Sequence, residues 1–330
     1  MTRQRFLPSS PRPSAIPFLS GPWIALALAL SVATVCVLLR SAGLGVAATP
    51  ALAMFGLWGI AAIVLGFLLR APIHSAARIA RDLIEGVSLF ALVSLLGAIA
   101  SYPLAAGKHP LVDSELERVD VDLHFHWLHW YEWIAGHAWL QAVERTAYLS
   151  IFVTPALLIG YFAVTGRRAE SRLFLATFWV AAVITLALFP LFPAAGPFAT
   201  LWHGSVPYMP LSALYQEEVI QALRHHLIRS IDLGQLHGLV CAPSFHAASA
   251  VIYIVTAFRI PALRWPIAAL NVVMLLATPV EGTHYLTDLL SGMAVASLAL
   301  ALTPALVRWT EREKAGWRID ADTMAPVAAE

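Results

Sequence analysis

His284 and Asp288 stand four residues apart in "EGTHYLTD" (Glu281 to Asp288), a spacing at which two side chains on a helix share one face. A carboxylate so placed accepts from one imidazole nitrogen, fixes the tautomer and leaves the other nitrogen as an open lone pair. That is how a histidine nucleophile or base is prepared. The same pair would also serve as polar glue between helices, and an aspartate near a helix end escapes the roughly 2.5–3.5 kcal/mol charged for ionised groups at mid-bilayer. A second cluster, "CAPSFHAASA" (Cys241 to Ala250), tips the balance toward chemistry. Pro243 suits the opening turn of a helix, with Ser244 and His246 following inside that turn. First-turn amides are unsatisfied and partly positive, so they form a phosphate site. Ser244 adds a hydroxyl donor, and His246 an acid toward a leaving oxygen. Two imidazoles, one carboxylate and helix-terminal amides match covalent phosphoryl transfer: one His attacks phosphorus and the other protonates the departing alkoxide.

The elements that must position these groups are membrane helices. The 330 residues are 59% hydrophobic and 12% charged, with a mean hydropathy of +0.73. Soluble domains carry roughly 25% charged residues. Apolar stretches long enough to cross about 30 Å of hydrocarbon recur along the chain, and in lipid such segments satisfy their backbone groups as helices. The reading is an all-α polytopic membrane bundle of eight spans, near 22–40, 50–70, 86–104, 146–164, 172–192, 243–258, 262–280 and 285–307. A net charge of +1 with no long basic block excludes a nucleic-acid binder. The two cysteines, Cys36 and Cys241, form neither a disulfide framework nor a CxxC site, and no nucleotide-binding glycine loop is present.

Flanking cations set the orientation. Arg3, Arg5 and Arg12, then Arg70, Arg78 and Arg81, then Arg167, Arg168 and Arg172, then Arg259 and Arg264, and finally Arg308, Arg312 and Lys314 all fall on one side of an eight-span chain. The positive-inside rule puts both termini in the cytoplasm and both histidine clusters at the extracytoplasmic face of a bacterial inner or plasma membrane. Residues 1–21 read as a Pro/Ser-rich disordered tail, 22–85 as two accessory spans, 86–307 as a six-helix catalytic core and 308–330 as a polar tail. Small residues in "GVAAT" follow the first apolar run, but its full spanning length behind a long basic head favours a retained span over a cleaved signal peptide. Within the core, 118–140 interleaves Trp127, Trp130, Trp133 and Trp139 with histidines and reads as an interfacial segment. Residues 193–242 form a long outward loop, too long to be idle.

The two clusters resemble the type 2 phosphatidic acid phosphatase superfamily. "PSFH" (Pro243 to His246) is similar to its P-S-G-H motif, and "THYLTD" (Thr283 to Asp288) to the H-x-x-x-D end of its last motif. By that resemblance His284 is the nucleophile, Asp288 its orienting partner and His246 the leaving-group acid. Ser244, Phe245 and Thr283, inside the motifs, are expected to bind substrate. Three departures point within the superfamily. Thr278 stands where the phosphatase branch has an Arg six residues before the nucleophile, no K-x-x-x-x-x-x-R-P motif occurs, and Phe245 replaces the motif glycine. These features look like the inositol phosphorylceramide synthase and sphingomyelin synthase branch, as do "FPAAGPF" (Phe192 to Phe198) and the run from Asp122 to Tyr148.

The expected activity is therefore phosphoryl transfer from a phospholipid or lipid phosphate, with a lipid alcohol as acceptor, or with water as acceptor in a lipid phosphate phosphatase. No cofactor or metal is needed. Arg224, Arg229 and Arg145 are the candidate phosphate-binding cations, although each also reads as a headgroup-facing or loop charge, and His225 and His226 would serve only if protonated. Two other classes fit less well. Twelve histidines invite a metal-dependent histidine-box oxidoreductase, but His124, His126 and His129 lack its repeated four-residue spacing. Transporters place charges near the midplane and show internal repeats, whereas the polar residues here sit at helix ends.

Overall fold

The computed structural model describes residues 21–323, with side chains described through Leu306. It is a helical bundle. Helices α1 (Gly21–Ser41) and α2 (Pro50–Leu68) are followed by α3 (Ser75–Ala105), α4 (Asp113–Asp122), α5 (Trp127–Ala135), α6 (Ala138–Leu149) and α7 (Val153–Thr165). Then come α8 (Arg168–Leu188), α9 (Pro197–Leu201), α10 (Gln216–Arg224), α11 (Phe245–Ala257), α12 (Arg264–Glu281) and α13 (Leu286–Thr323). Five helices are long and apolar enough to cross a membrane alone, or six if α6 and α7 count as one span bent by 46°. Each of the eight expected spans coincides with helix, but α11 is only 13 residues. At 1.5 Å per residue it reaches about 20 Å, short of a full crossing.

Local chemistry explains the break between α6 and α7. Pro155 has no amide to give the Ile151 carbonyl, and the Tyr253 hydroxyl donates to that oxygen instead at 3.1 Å. The last helix departs from the sequence reading in the other direction. The chain read as a polar tail from 308 continues as helix to Thr323, because Glu, Lys, Arg and Ala dominate it and no proline interrupts. The expected tail over 1–20, with Arg3, Arg5 and Arg12, lies outside the described residues, as do 324–330.

Helices α3, α7, α8, α11, α12 and α13 share the main core, built around Phe162, Phe178, Ile252, Tyr253 and Met274. Helix α1 packs on α3 through Val35 and Leu39, while α2 buries no residue. A parallel two-residue ladder, Gly45–Val46 against Ser230–Ile231, ties the α1–α2 turn to segment 193–242. It is the one exception to an all-helical fold among the described residues. Three basic turns gather at the opposite end. Arg168 and Arg172 pair with Glu85, Arg81 pairs with Asp82, and Arg167 donates to the Arg259 carbonyl at 3.4 Å.

The two segments that the sequence analysis places outside the spans, 118–140 and 193–242, are folded caps rather than loose coverings. The tryptophan-rich stretch breaks at His124, whose φ is +62°, into α4 and α5. One face of α5 is core: Trp127 Nε1 donates to the Pro279 carbonyl at 2.8 Å, and Tyr131 donates to the Tyr208 carbonyl at 2.6 Å. Only Trp133 and Trp139 keep the exposure of an interfacial belt. Segment 193–242 carries α9 and α10 and buries Leu223, Ile231 and Leu239.

Candidate active site

Helix α11 begins two residues later than the sequence suggests. Ser244 is its N-cap, and its hydroxyl oxygen accepts from the Ala247 amide at 3.4 Å, so Pro243 precedes the helix. That hydroxyl is fully buried, and Ser244 is not among the cavity-lining residues. The second cluster also differs from two turns of a continuous helix. His284 lies before α13, after a turn in which Thr283 takes φ of +50°, and Asp288 lies in the first turn of α13. The Asp288 Oδ2 accepts from the Tyr285 amide at 3.1 Å and contacts His284 Nδ1 at 3.2 Å. The four-residue pairing is thus made by a helix cap. A left-handed Thr is strained, and close packing holds it. A Cβ on Gly196 would stand 2.7 Å from the Thr283 carbonyl, and one on Gly282 would stand 2.6 Å from the His284 ring.

Backbone contact stitches the two clusters together. The Ser244 amide donates to the Asp288 carbonyl at 2.9 Å. Below it, Gly292 lets α13 press on the Ser244 carbonyl, where any Cβ would overlap. His246 and His284 consequently line the same cavity, of about 570 Å³. His246 stacks on Tyr148 with ring centroids 4.0 Å apart. The remaining lining divides into an apolar cleft, with Phe90, Val93, Phe152 and Phe178, and a polar wall. Among the described residues, no Lys, Arg, Asp or Glu lines this cavity.

Of the sequence-chosen residues, the structure brings His246, His284 and Phe245 to the cavity, with Asp288 buried behind His284. Thr283 is buried next to His284, its hydroxyl 3.5 Å from Gln216 Oε1. The arginines do not join them. Arg224 donates to the His109 carbonyl at 3.0 Å, and Arg229 is exposed beside the short ladder, where its carbonyl accepts from Gly45. Arg145 on α6 sits by the Glu281–Tyr208 pair.

Two aspartates of "DSELERVDVD" (Asp113 to Asp122), given no role in the sequence analysis, shape the site. Asp113 accepts from the Ala195 and Gly196 amides at 3.0 and 2.9 Å and from the Tyr285 hydroxyl at 3.2 Å. Asp120 accepts from the Leu286 and Thr287 amides at 2.6 and 2.8 Å. The first-turn amides of α13 are therefore occupied by protein. The available signal was the seven-residue spacing, which puts both carboxylates on one helix face. Glu281 is a third buried acid, held by Tyr208 and by the Leu211 amide at 3.1 Å, and it fastens the 193–242 cap to α12. Among the described residues, no three His, Cys, Asp or Glu side chains are grouped to hold a metal ion.

Residues 114–302, more than half of the chain, match the family model described as the PAP2 superfamily, and the chain belongs to that superfamily. Membership makes it a membrane protein of lipid phosphatase or phosphotransferase type, acting on lipid phosphates. No curated protein and no solved structure matches the chain.

Proposed function

We propose that this protein is an integral membrane phosphotransferase that moves a phosphoryl or head-group phosphoryl unit from a phospholipid to an alcohol through a phosphohistidine on His284. The observation that carries the reading is the placement of His284, backed by Asp288, and of His246 on the wall of one cavity. With Nδ1 directed at Asp288, the Nε2 lone pair is the one left to attack phosphorus. His246 gives its proton to the departing alkoxide and takes one back from the incoming acceptor. Residues 86–307 are the catalytic core in this reading, with 22–85 accessory. The gathering of Arg81, Arg167, Arg168 and Arg172 at the other end supports chemistry at the extracytoplasmic face.

Charge favours the transferase branch over the phosphatase. A phosphomonoester brings about −1.5 to −2 charge near neutral pH, and burying that among uncharged groups is costly. A phosphodiester brings a single charge and suits a cavity lined by imidazoles, hydroxyls and an amide. This supports a phospholipid diester donor, as in the inositolphosphotransferase-like branch. Hydrolysis of a lipid phosphate with water as acceptor is the alternative.

Membranes containing the protein, incubated with labelled phosphatidylinositol, phosphatidic acid and a ceramide, should convert label into a new phospholipid. Free phosphate alone would favour the phosphatase. Acid-labile label on the wild-type chain, absent from His284→Ala, is expected; label persisting in that variant would exclude His284 as nucleophile.

A further inference from the structure

The polar wall of the cavity has an order that the phosphoryl chemistry leaves unused. His246 stacks on Tyr148, whose hydroxyl lies 3.3 Å from Ser212 Oγ. Ser212 Oγ lies 3.5 Å from the Tyr215 hydroxyl, and Tyr215 stacks on His237 with centroids 3.9 Å apart. Three hydroxyls thus form a row between two imidazoles, and all five side chains line the cavity. Each hydroxyl has one proton and two lone pairs. The two contacts along the row are long and leave each oxygen with capacity to spare. Gln216, next in the chain, lines the same wall. The His237 ring has one face on Tyr215 and remains exposed, which puts this end of the row at the water side.

A row of neutral donors and acceptors suits an uncharged hydroxylated group. It is badly suited to a phosphate dianion, which would seek cations, or to a hydrocarbon chain, for which the Phe90–Phe178 side of the cavity is better fitted. Its inner end touches the ring partner of His246, the residue that exchanges protons with leaving and entering alcohols.

Resting on the phosphotransferase reading, we infer that the Tyr148–Ser212–Tyr215–His237 row is the acceptor subsite, and that it takes a polar, hydroxyl-bearing alcohol. The step it serves is balanced. The acceptor oxygen bonds to phosphorus as the phosphorus–Nε2 bond of His284 breaks, its electron pair returns to the imidazole, and the acceptor proton passes to neutral His246. Ser212, Tyr215 and His237 would be positioning residues that hold the acceptor's hydroxyls and tilt the competition against water.

The test uses the full chain in nanodiscs, a phospholipid donor labelled at phosphorus (phosphatidylinositol or phosphatidic acid) and glycerol as the acceptor probe. The readout is the ratio of glyceryl ester to hydrolysis product, which does not depend on how much protein is folded. Wild type should form the glyceryl ester. Ser212→Ala, Tyr215→Phe and His237→Phe, the last keeping the stack without the nitrogens, should each lower the ratio about fivefold, the worth of one hydrogen bond. Equal loss of both products at an unchanged ratio would assign the row a purely structural role and overturn the inference. A wild type that hydrolyses donor but makes no glyceryl ester would overturn it too, while leaving His284 chemistry standing. No donor consumption at all would sink both.

Discussion

At the scale of single residues, the Asp288 carboxylate gives the sharpest expectation. It holds one imidazole nitrogen of His284 and the Tyr285 amide through the same oxygen. Asp288→Asn keeps the size but offers an NH₂ that favours the opposite tautomer, so turnover should fall by about two orders of magnitude with donor KM little changed. His246→Gln should lose about 10²–10⁴-fold, with the smallest loss on donors whose leaving group needs no proton. An Asp288→Asn enzyme with wild-type kcat would remove the orienting role. His237 gives a pH expectation. The part of its ring shielded against Tyr215 is desolvated, which lowers its pKa below the ordinary histidine value, so the folded protein resists a proton that the unfolded chain accepts. That contribution is intact above about pH 6.5 and is lost as pH falls through it. The thermal midpoint should therefore drop less on acidification in His237→Phe than in wild type. His246, His284 and Asp288 were legible because reactive residue types in short motifs stand out against apolar helices. Tyr148, Ser212 and His237 were not, since ordinary residues acquire meaning only when three distant segments meet.

At the scale of elements, the site depends on how α13 is started and where it presses. Asp120 occupies the Leu286 and Thr287 amides and also accepts from the Thr287 hydroxyl at 2.6 Å. Asp120→Asn should cost about 2 kcal/mol, since hydrogen bonds to a charged group are worth roughly 1.5–3 kcal/mol, and should weaken activity by loosening His284. Gly292→Ala should be worse for its size. The added methyl would overlap the Ser244 carbonyl, forcing α11 and α13 apart at a cost of about 1–3 kcal/mol. Thermal unfolding in detergent measures both, and a Gly292→Ala protein as stable and active as wild type would show that this contact does not set the spacing of the histidines. The helices were readable from hydropathy, because lipid leaves the backbone no other option. The capping aspartates were not, because an acidic stretch looks the same in sequence whether its carboxylates face water or close a helix end.

At the scale of the whole molecule, the N-terminal pair is unequal. Helix α1 shares a core with α3 and with the 193–242 cap through Val35, Leu39 and Leu44, whereas α2 contributes no buried side chain. The ladder from Gly45 and Val46, with Thr49 donating to Asp232 at 3.0 Å, ties their turn to the segment that also carries Ser212, Tyr215 and His237. Shortness of α11 has a different consequence. With the Arg259–Arg264 turn anchored among lipid head groups, a rod of about 20 Å ends before the far surface. His246 would then sit below the opposite head groups, and every polar reactant must descend to meet it. Catalysis becomes a function of depth: lecithins with shorter acyl chains would bring the surface down to the imidazoles, and longer ones would bury them further. In nanodiscs graded by chain length, kcat/KM for a fixed donor should decline as the bilayer thickens, although the fold itself is unchanged.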